Sequence, residues 1–435
     1  MDALDHVGTL FAALAAVPIL YLLLGISVLL VTGVGAVYVL LCYIAPKPRL
    51  SFASEKTYQT SDPSSKTGFA TRQLPCWYDK WLAERHLADT SKNTKSDDDN
   101  VYDLSAIEPA EVGLTVVVPA YNEALRILPA LQEMVDFCDK RFGRPKPAAM
   151  LSPTSRKTTP TRMATPRRQK APAAAVLYDF PADKKQLPDD RDLPSGYEIL
   201  IVNDASSDNT VEVALDFAKD RGLHDVIRVI TLDKNRGKGG GVTHGFRHAR
   251  GAYVVLADAD GASRFSDLDK LLEGCDLIVD VSDRGVAIGS RAHLVGSEEV
   301  VQRSALRNFL MKSFHFVLTI LTPPATSRIR DTQCGFKLFS RAALPHIVPY
   351  MHTEGWIFDI EMLMLAESAP ATPVVAHDGT VIGTSAGIKV AEVPVGWHEV
   401  DGSKMNLVQD SIRMAIGLTV LRASWMLGVY RRRLT

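Results

Sequence analysis

The sequence lacks the features that mark several common classes of protein. Its five cysteines include no Cys-x-x-Cys spacing, which argues against a zinc site and against a disulfide framework. Its formal net charge of −1 gives no global field that would attract nucleic acid, so we predict no nucleic-acid partner. No Asn-x-Ser/Thr sequon occurs, which favours a main body outside the secretory lumen.

Charged side chains are also absent from Val7 to Ala45. A membrane span needs only about 20 apolar residues, but two spans joined by a hairpin would leave too few residues for the second. The run therefore predicts a single transmembrane helix, best placed at Ile19–Ile44 after Pro18. A cleaved signal peptide is disfavoured because acids replace the usual basic start and because the run is too long. A buried core helix is the alternative.

The charges that flank this span predict its orientation. Lys47 and Arg49 follow it, whereas only acids and His6 precede it. The positive-inside bias then puts the N-terminus in the lumen and the large C-terminal part in the cytosol. Residues 1–45 are thus a predicted single-pass anchor, and residues 46–112, which show no sustained period, are a predicted tether. Within the tether, a short helix with Trp77, Tyr78 and Trp81 that packs on the domain or on the lipid surface is the alternative.

Residues 113–404 alternate short apolar runs with segments of helical periodicity, which predicts an α/β domain with a mostly parallel sheet flanked by helices. The predicted strands are 114–118, 198–202, 226–232, 253–257, 286–289 and 388–395. The predicted helices are 123–140, 207–221, 240–249, 301–321 and 359–367. Right-handed crossovers between such strands bring their carboxyl ends to one edge of the sheet.

Two segments depart from this alternation. Residues 144–195 are rich in Pro, Ala, Thr and Lys/Arg and show no periodicity, so they cannot bury enough apolar surface to offset the entropy of ordering. They are a predicted disordered insertion. Residues 405–435 contain a strongly apolar stretch that Arg413 and Arg422 interrupt. This pattern predicts an interfacial helix with a basic tail, and a docked core helix is the alternative.

Three predicted strands end in acidic residues, namely Glu123, Asp204 and the pair Asp258 and Asp260. Ligands of open α/β sheets bind outside the carboxyl ends of the strands. Asp258 and Asp260 reach the same space once the chain turns at Gly261, and unpaired they would repel each other. A hard divalent cation removes that conflict and in turn binds phosphate oxygens. The sequence therefore predicts a site for a sugar nucleotide and a metal ion.

The glycine-rich segment Asp233–Gly241 lies between a predicted strand and a predicted helix. It does not match the dinucleotide fingerprint, since Val242 or His244 stands where the third glycine belongs, and it is not a Walker A loop. It predicts a flexible cationic loop before a helix N-terminus, with Lys238 and Arg236 as candidates to bind a diphosphate or a base. A plain surface turn is the alternative.

Four further cationic residues are candidates for binding an acceptor phosphate: Arg291, Arg303, Arg307 and Lys404. An arginine fork matches phosphate geometry, although each of these side chains also suits an exposed surface. Asp359 fits two roles, the N-cap of a helix and a catalytic base. Asp208, by contrast, has the position of a structural residue at a helix start.

These motifs resemble those of the inverting GT-A glycosyltransferases and, more narrowly, the dolichyl-phosphate β-glucosyltransferases of the endoplasmic reticulum. The matching residues are 116–123, 202–204, 236–239, 258–261, 289–291 and 331–337. The string Asp331-Thr-Gln-Cys-Gly-Phe-Lys337 and the single N-terminal span are the most specific parts. The resemblance runs from about Leu114 to Lys404, apart from the insertion.

The resemblance implies glucose transfer from UDP-glucose to dolichyl phosphate with inversion, for N-glycan precursor assembly. It implies Mg²⁺ or Mn²⁺, with Asp258 near the ribose and the metal and Asp260 as the main metal ligand. It also places four residues around the uridine: Pro119, Tyr121, Glu123 and Asp204. Lys238 and the metal would stabilise the leaving UDP, and the anionic acceptor phosphate makes a base such as Asp359 less necessary. Membrane lipid is a further implied partner, because the acceptor head group lies at the bilayer surface.

Rival functions fit parts of the same pattern. A dolichyl-phosphate mannosyltransferase or another polyprenyl-phosphate sugar transferase could use this scaffold, although a metal-site glutamine of some mannosyl enzymes is replaced here by Ala262. A non-catalytic membrane scaffold is an alternative from a different class. An oxidoreductase is disfavoured by the broken glycine pattern, and a processive polysaccharide synthase by the single span and the missing Gln-x-x-Arg-Trp-type motif.

Overall fold

The computed structural model describes residues 18–49, 51–93, 107–144, 176–177, 193–294, 313, 316–375, 380–400 and 407–432. Two compact units make up the chain. One joins the residues up to Pro46 with those from Ile416 onward, and the other is Lys47–Ala415. The larger unit carries the sheet and every described residue of the predicted site.

The strands are β1 Thr57–Ser61, β2 Phe69–Gln73, β3 Val112–Ala120, β4 Val176–Leu177, β5 Tyr197–Asn203, β6 Ile227–Thr231, β7 Gly251–Leu256, β8 Val286–Ser290, β9 Lys337–Ser340, β10 Thr372–Val375, β11 Val381–Ser385 and β12 Val390–Pro394. The helices are α1 Ile19–Ile44, α2 Trp77–Asn93, α3 Ile127–Arg141, α4 Thr210–Asp220, α5 Gly237–His248, α6 Leu268–Ile278, α7 Pro324–Ser327, α8 Leu344–Ile347, α9 Phe358–Glu367 and α10 Leu407–Met426. Short 3-10 turns connect several of these elements.

Ten of the described strands form one sheet in the order β2-β1-β6-β5-β3-β7-β9-β8-β12-β4. β6, β5, β3 and β7 are parallel to one another, and so are β8, β12 and β4. Every residue of β5 is buried, and β3 is buried apart from Pro119, as expected for strands covered by helices on both faces. The predicted mostly parallel sheet flanked by helices is confirmed.

Between the two parallel groups, one strand runs against its neighbours. β9 pairs antiparallel with both β7 and β8. It is absent from the predicted strands because its sequence, Lys-Leu-Phe-Ser, contains only two apolar residues, too short a run to indicate a strand. α6 is also absent from the predicted helices, although its buried Leu268, Leu271, Leu272 and Cys275 stand at helical spacing.

The prediction of a tether over residues 46–112 is wrong for the middle of that segment. β1 and β2 form a hairpin, and β1 extends the sheet beside β6. α2 then packs on α5, where Nε1 of Trp77 donates a hydrogen bond to the carbonyl of Phe246 over 2.7 Å. The sequence signal is weak because β1 is polar apart from the buried Tyr58, so no apolar alternation marks the strand.

The smaller unit contains α1, which has the bounds predicted for the span. Among the described helices, α1 is the one that is long and apolar enough to cross a membrane. Most of its apolar side chains are exposed. In the same unit, Oη of Tyr430 donates a hydrogen bond to the carbonyl of Pro46 over 2.6 Å. The predicted C-terminal helix is α10, and its position in the lipid interface stays a prediction.

Two predicted segments lie largely outside the described residues. Within residues 144–195 the structure describes mainly β4, which pairs with β12, so disorder of the insertion stays a prediction. The predicted helix 301–321 is described at residues 313 and 316–321, which are helical.

Candidate active site

The carboxyl ends of three neighbouring parallel strands lie at one edge of the sheet. β3 is between β5 and β7, and the amide of Asp204 donates a hydrogen bond to the carbonyl of Ala120 over 2.8 Å. The residues that follow these strand ends are Tyr121–Glu123, Asp204 and Asp258–Asp260. The strand order therefore brings the predicted acidic residues to the same edge.

Asp258 is held on two sides. Nζ of Lys238 lies 2.6 Å from Oδ1 of Asp258. On the other side Gly335 approaches so closely that a Cβ there would lie 1.9 Å from Oδ2 of Asp258. Burial lowers the pKa of Lys238, but the charges of Asp258 and Asp359 outweigh this effect and raise the pKa above its usual value. Lys238 therefore stays cationic at neutral pH.

Asp260 faces an arginine. Nη1 of Arg126 lies 3.9 Å from Oδ2 of Asp260, whose Oδ1 accepts a hydrogen bond from the amide of Ala262 over 3.1 Å. The same guanidinium donates hydrogen bonds from Nε and Nη2 to the two carboxylate oxygens of Glu123, over 2.9 and 2.8 Å. One arginine thus connects Glu123 with the turn that carries the predicted metal ligands.

Asp204 fixes the start of α5. Its Oδ1 accepts a hydrogen bond from the amide of Arg236 over 2.6 Å, and its Oδ2 accepts one from the amide of Gly237 over 2.8 Å. Burial is the main influence on the pKa of Asp204 and raises it. A contact between Asp204 and uridine stays a prediction. Asp208 has the structural role expected of it, because Oδ1 accepts a hydrogen bond from the amide of Thr210, the first residue of α4.

Pro119 and Tyr121 border the same edge. Tyr121 is 41% exposed. Asn122 has a φ of 53°, and its Oδ1 accepts a hydrogen bond from the amide of Ser207 over 2.8 Å. This contact ties the turn after β3 to the loop after β5. The uridine contacts of Pro119, Tyr121 and Glu123 stay predictions.

The glycine-rich segment differs from the predicted flexible loop, because α5 already begins at Gly237. A Cβ on Gly239 would lie 2.6 Å from Cβ of Phe358 in α9, and one on Gly245 would lie 2.5 Å from Cγ1 of Val117 in β3. The glycines therefore allow α5 to approach both the sheet and α9 closely. Close packing explains these residues better than flexibility does.

Asp359 lies in the first turn of α9, where its carboxylate accepts a hydrogen bond from Nζ of Lys337 over 2.5 Å. Both side chains are buried. Burial raises the pKa of Asp359, while the charges of Lys337 and Lys238 oppose that shift. The alternative role as N-cap is wrong, because Ile357 occupies that position. A role as base stays a prediction.

Arg291 forms a bidentate ion pair with Asp331. Nε and Nη2 of Arg291 donate hydrogen bonds to the two carboxylate oxygens over 2.7 and 2.9 Å, and its amide adds a third over 2.9 Å. Much of this guanidinium is thus engaged within the protein, so its contact with an acceptor phosphate stays a prediction. The other three candidates lie outside the described residues: Arg303, Arg307 and Lys404.

Comparison with known proteins places the chain in a family. The profile described as "Glycosyl transferase family 2" matches residues 186–344. A dolichyl-phosphate beta-glucosyltransferase of Saccharomyces cerevisiae is 35% identical over 411 residues, which cover 93% of this chain and 93% of that protein. The Homo sapiens protein with this name is 34% identical over 319 residues, 73% of this chain and 77% of its own. The chain belongs to the dolichyl-phosphate β-glucosyltransferases.

The enzyme is thus a glycosyltransferase, as predicted. The match to glycosyl transferase family 2, together with the order of the strands in the sheet, identifies the predicted GT-A fold. A solved structure, glucosyl-3-phosphoglycerate synthase from Mycobacterium tuberculosis with Mn²⁺ and UDP-glucose, is similar at a TM-score of 0.40 and 14% identity, over 72% of this chain and 79% of that one. That likeness is too low to bear on function.

Four residues of this site are absent from the predicted set: Arg126, Asp331, Gly335 and Lys337. The last three belong to the string Asp331–Lys337, which carries the family resemblance. The string indicates that these residues matter, but it does not predict which side chain each of them contacts. Arg126 stands three positions after Glu123, a spacing at which opposite charges can pair, and that spacing is the signal that could have found it.

Proposed function

We propose that this enzyme transfers glucose from UDP-glucose to dolichyl phosphate with inversion at the anomeric carbon, which gives dolichyl β-D-glucosyl phosphate. The observation that carries the proposal is 35% identity to a dolichyl-phosphate beta-glucosyltransferase over nearly the whole chain. The relatives' name gives both the sugar and the acceptor. A β-linked product from an α-linked sugar nucleotide requires inversion.

The acids at the sheet edge fit a divalent cation, Mg²⁺ or Mn²⁺. Mg²⁺ is usually bound through one or two carboxylates together with substrate phosphates. Asp258 and Asp260 supply two carboxylates, and no group of three or more potential ligands occurs among the described residues. The carboxylate of Asp258 occupies the space that any side chain at Gly335 would fill. The bound ion would neutralise charge on the departing diphosphate.

The chain's own residues would bind the donor in two parts. Tyr121, at the strand end, would contact the base. Glu123 and Asp204, whose carboxylates are oriented by Arg126 and by backbone amides at the start of α5, would lie near the nucleoside. Lys238 stands at the start of α5 and stays cationic because nearby carboxylates raise its pKa. It would stabilise the charge that develops on UDP as the glycosidic bond breaks.

Dolichyl phosphate is an anion at neutral pH, so its attacking oxygen has no proton that a strong base must remove. We therefore assign Asp359 to electrostatic support of Lys238, whose positive charge it stabilises, instead of proton abstraction. Positioning of the two substrates and stabilisation of charge would then supply most of the rate enhancement. Arg291, Arg303, Arg307 and Lys404 are the candidates for holding the acceptor phosphate.

The acceptor's long isoprenoid chain stays in lipid, so the reaction takes place at a membrane surface. α1 supplies a candidate anchor. Lys47 and Arg49 on its C-terminal flank favour a cytosolic catalytic domain under the positive-inside bias. We place the enzyme in the endoplasmic reticulum membrane, with membrane lipid as its surroundings.

The deciding experiment supplies the full-length enzyme with dolichyl phosphate and either labelled UDP-glucose or labelled GDP-mannose, with and without a chelator. We expect lipid-linked glucose from UDP-glucose, loss of product with chelator, and recovery on adding Mg²⁺ or Mn²⁺. Asp260→Asn should lower the rate at least about a hundredfold. The matched control is Asp269→Asn, which changes an exposed aspartate of α6. Turnover of GDP-mannose alone would overturn the proposal.

A further inference from the structure

We propose that Arg126 is a resident counter-ion for the metal-binding carboxylates and that it lowers the metal affinity of the nucleotide-free enzyme. This inference rests on the proposed function, because it takes Asp258 and Asp260 as the metal ligands. Arg126 is a positioning residue, since it acts through Glu123 and Asp260, which its guanidinium contacts.

Packing of α3 fixes Arg126 beside the turn after β7. Arg126 immediately precedes α3. A Cβ on Gly261 would lie 3.4 Å from Cβ of Ala130, so the turn rests against this helix. Glu133, further along α3, accepts a hydrogen bond from the amide of Phe265 over 2.8 Å. Two contacts therefore hold the turn on α3, and the arginine at the start of the helix stays close to it.

The guanidinium of Arg126 contacts two carboxylates. Nε and Nη2 form a fork on Glu123, while Nη1 points to Oδ2 of Asp260 at 3.9 Å. Asp258 has its own cation, because Nζ of Lys238 lies 2.6 Å from it. Each predicted metal ligand is therefore already paired with a positive charge of the protein.

A divalent ion on Asp260 would lie within a few ångströms of this guanidinium and would be repelled by it. Glu123 gives the arginine a second carboxylate toward which it can withdraw. The donor's diphosphate carries negative charge that offsets the same repulsion. Arg126 thus disfavours metal binding to the free enzyme and makes binding of the metal depend on the sugar nucleotide.

The test measures binding of Mn²⁺ alone to the full-length, nucleotide-free enzyme, by electron paramagnetic resonance or calorimetry. Arg126→Met removes the charge and keeps an unbranched apolar side chain, and we expect Mn²⁺ to bind roughly three- to tenfold more tightly. Glu123→Gln should weaken Mn²⁺ binding, because the arginine then loses the competing carboxylate. The matched control is Arg141→Met, at the other end of α3, where the arginine pairs with exposed Asp269.

Tighter Mn²⁺ binding in Arg126→Met together with weaker Mn²⁺ binding in Glu123→Gln would support the counter-ion role. A general loss of structure would weaken Mn²⁺ binding in both variants. Arg126→Lys keeps the charge and should not tighten binding. If Arg126→Met fails to fold, the double variant Arg126→Met/Glu123→Gln removes both charges and should still bind Mn²⁺ more tightly. Unchanged or weaker Mn²⁺ binding in the folded variant overturns the inference.

The same measurements separate this inference from the proposed function. If Asp260→Asn binds Mn²⁺ as tightly as the wild type does, the metal assignment fails and the inference fails with it. If the Mn²⁺ affinities change as expected but the wild-type enzyme transfers no glucose, the proposed function fails alone.

Discussion

A Cβ placed on Gly335 would lie 1.9 Å from Oδ2 of Asp258 and 2.4 Å from its Cγ. No side chain at position 335 can coexist with this orientation of the aspartate. Gly335 belongs to the string that carries the family resemblance, and the structure gives it a physical reason. The glycine leaves room for a carboxylate that Lys238 holds from the other side at 2.6 Å.

The first prediction concerns Gly335→Ala. The added methyl group should force Asp258 to rotate, which breaks its contact with Lys238 and moves a metal ligand. We expect kcat/KM for transfer to fall at least about a hundredfold, since small displacements in a preorganised site are costly. Gly383→Ala in β11 is the control, because a Cβ there meets nothing within 4 Å. A wild-type rate and Mn²⁺ affinity for Gly335→Ala would contradict this role.

The second prediction concerns the buried pair of Lys337 and Asp359. Lys337→Met leaves a buried carboxylate without its partner, so the free energy of unfolding should fall by about 3–5 kcal/mol. The double variant Lys337→Met/Asp359→Leu removes both charges and should recover much of that loss. Unfolding of the detergent-solubilised protein by denaturant measures both effects.

Activity of the same double variant distinguishes structure from catalysis. If the charge of Asp359 supports Lys238, transfer should stay at least tenfold below wild type, a loss of about 1.4 kcal/mol in transition-state stabilisation, even where stability recovers. Recovery of both stability and activity would show instead that the pair serves only the fold.

The central strands could be predicted from the sequence because each is a continuous apolar run that ends at turn residues. The strand predicted at 198–202 is observed as Tyr197–Asn203, and the span predicted at Ile19–Ile44 has those bounds. β1 and β9 could not be predicted in this way. β1 is polar and lies between β2 and β6, and β9 is short and depends for its pairing on β7 and β8.

The same distinction applies to the candidate active site. The meeting of Glu123, Asp204 and Asp258 at one edge follows from the parallel order of their strands, so sequence reasoning could anticipate it. The partners of these acids could not be anticipated. Asp204 accepts hydrogen bonds from backbone amides at the start of α5, and Asp258 contacts Lys238, because packing brings together segments that are far apart in sequence.

The third prediction concerns pH and His248. Burial lowers the pKa of His248 from 6.5 to about 4, although its Nδ1 donates a hydrogen bond to the carbonyl of Pro75 over 2.7 Å. Between these pKa values the unfolded chain binds more protons than the folded protein does. The contribution of neutral His248 to the free energy of unfolding is therefore complete above pH 6.5 and is lost as pH falls toward 4.

The titration of His248 alone should lower the free energy of unfolding by about 3 kcal/mol as the pH falls from 7.5 to 4. Buried His244, whose pKa is also lowered by burial, should add a loss of the same sign. His248→Gln removes the titrating group, so its stability should depend less steeply on pH in this window. Parallel stability curves for the variant and the wild type would count against the assignment.

The fourth prediction tests whether the segment before β3 belongs to the folded domain. Trp77 is 3% exposed, and its Nε1 donates a hydrogen bond to the carbonyl of Phe246 in α5. Trp77→Ala should lower the free energy of unfolding by about 3–5 kcal/mol, because it leaves a large cavity between α2 and α5.

Leu87→Ala on the same helix is the matched control. Leu87 is 71% exposed, so its truncation should change stability by less than about 0.5 kcal/mol. A tether would tolerate both substitutions equally, whereas a helix packed on α5 tolerates only the second. Since α5 also carries Lys238, Trp77→Ala should reduce transfer as well, at temperatures where the variant is still folded. Equal unfolding curves for the two variants would contradict the packing of α2 on α5 and would support the prediction of a tether.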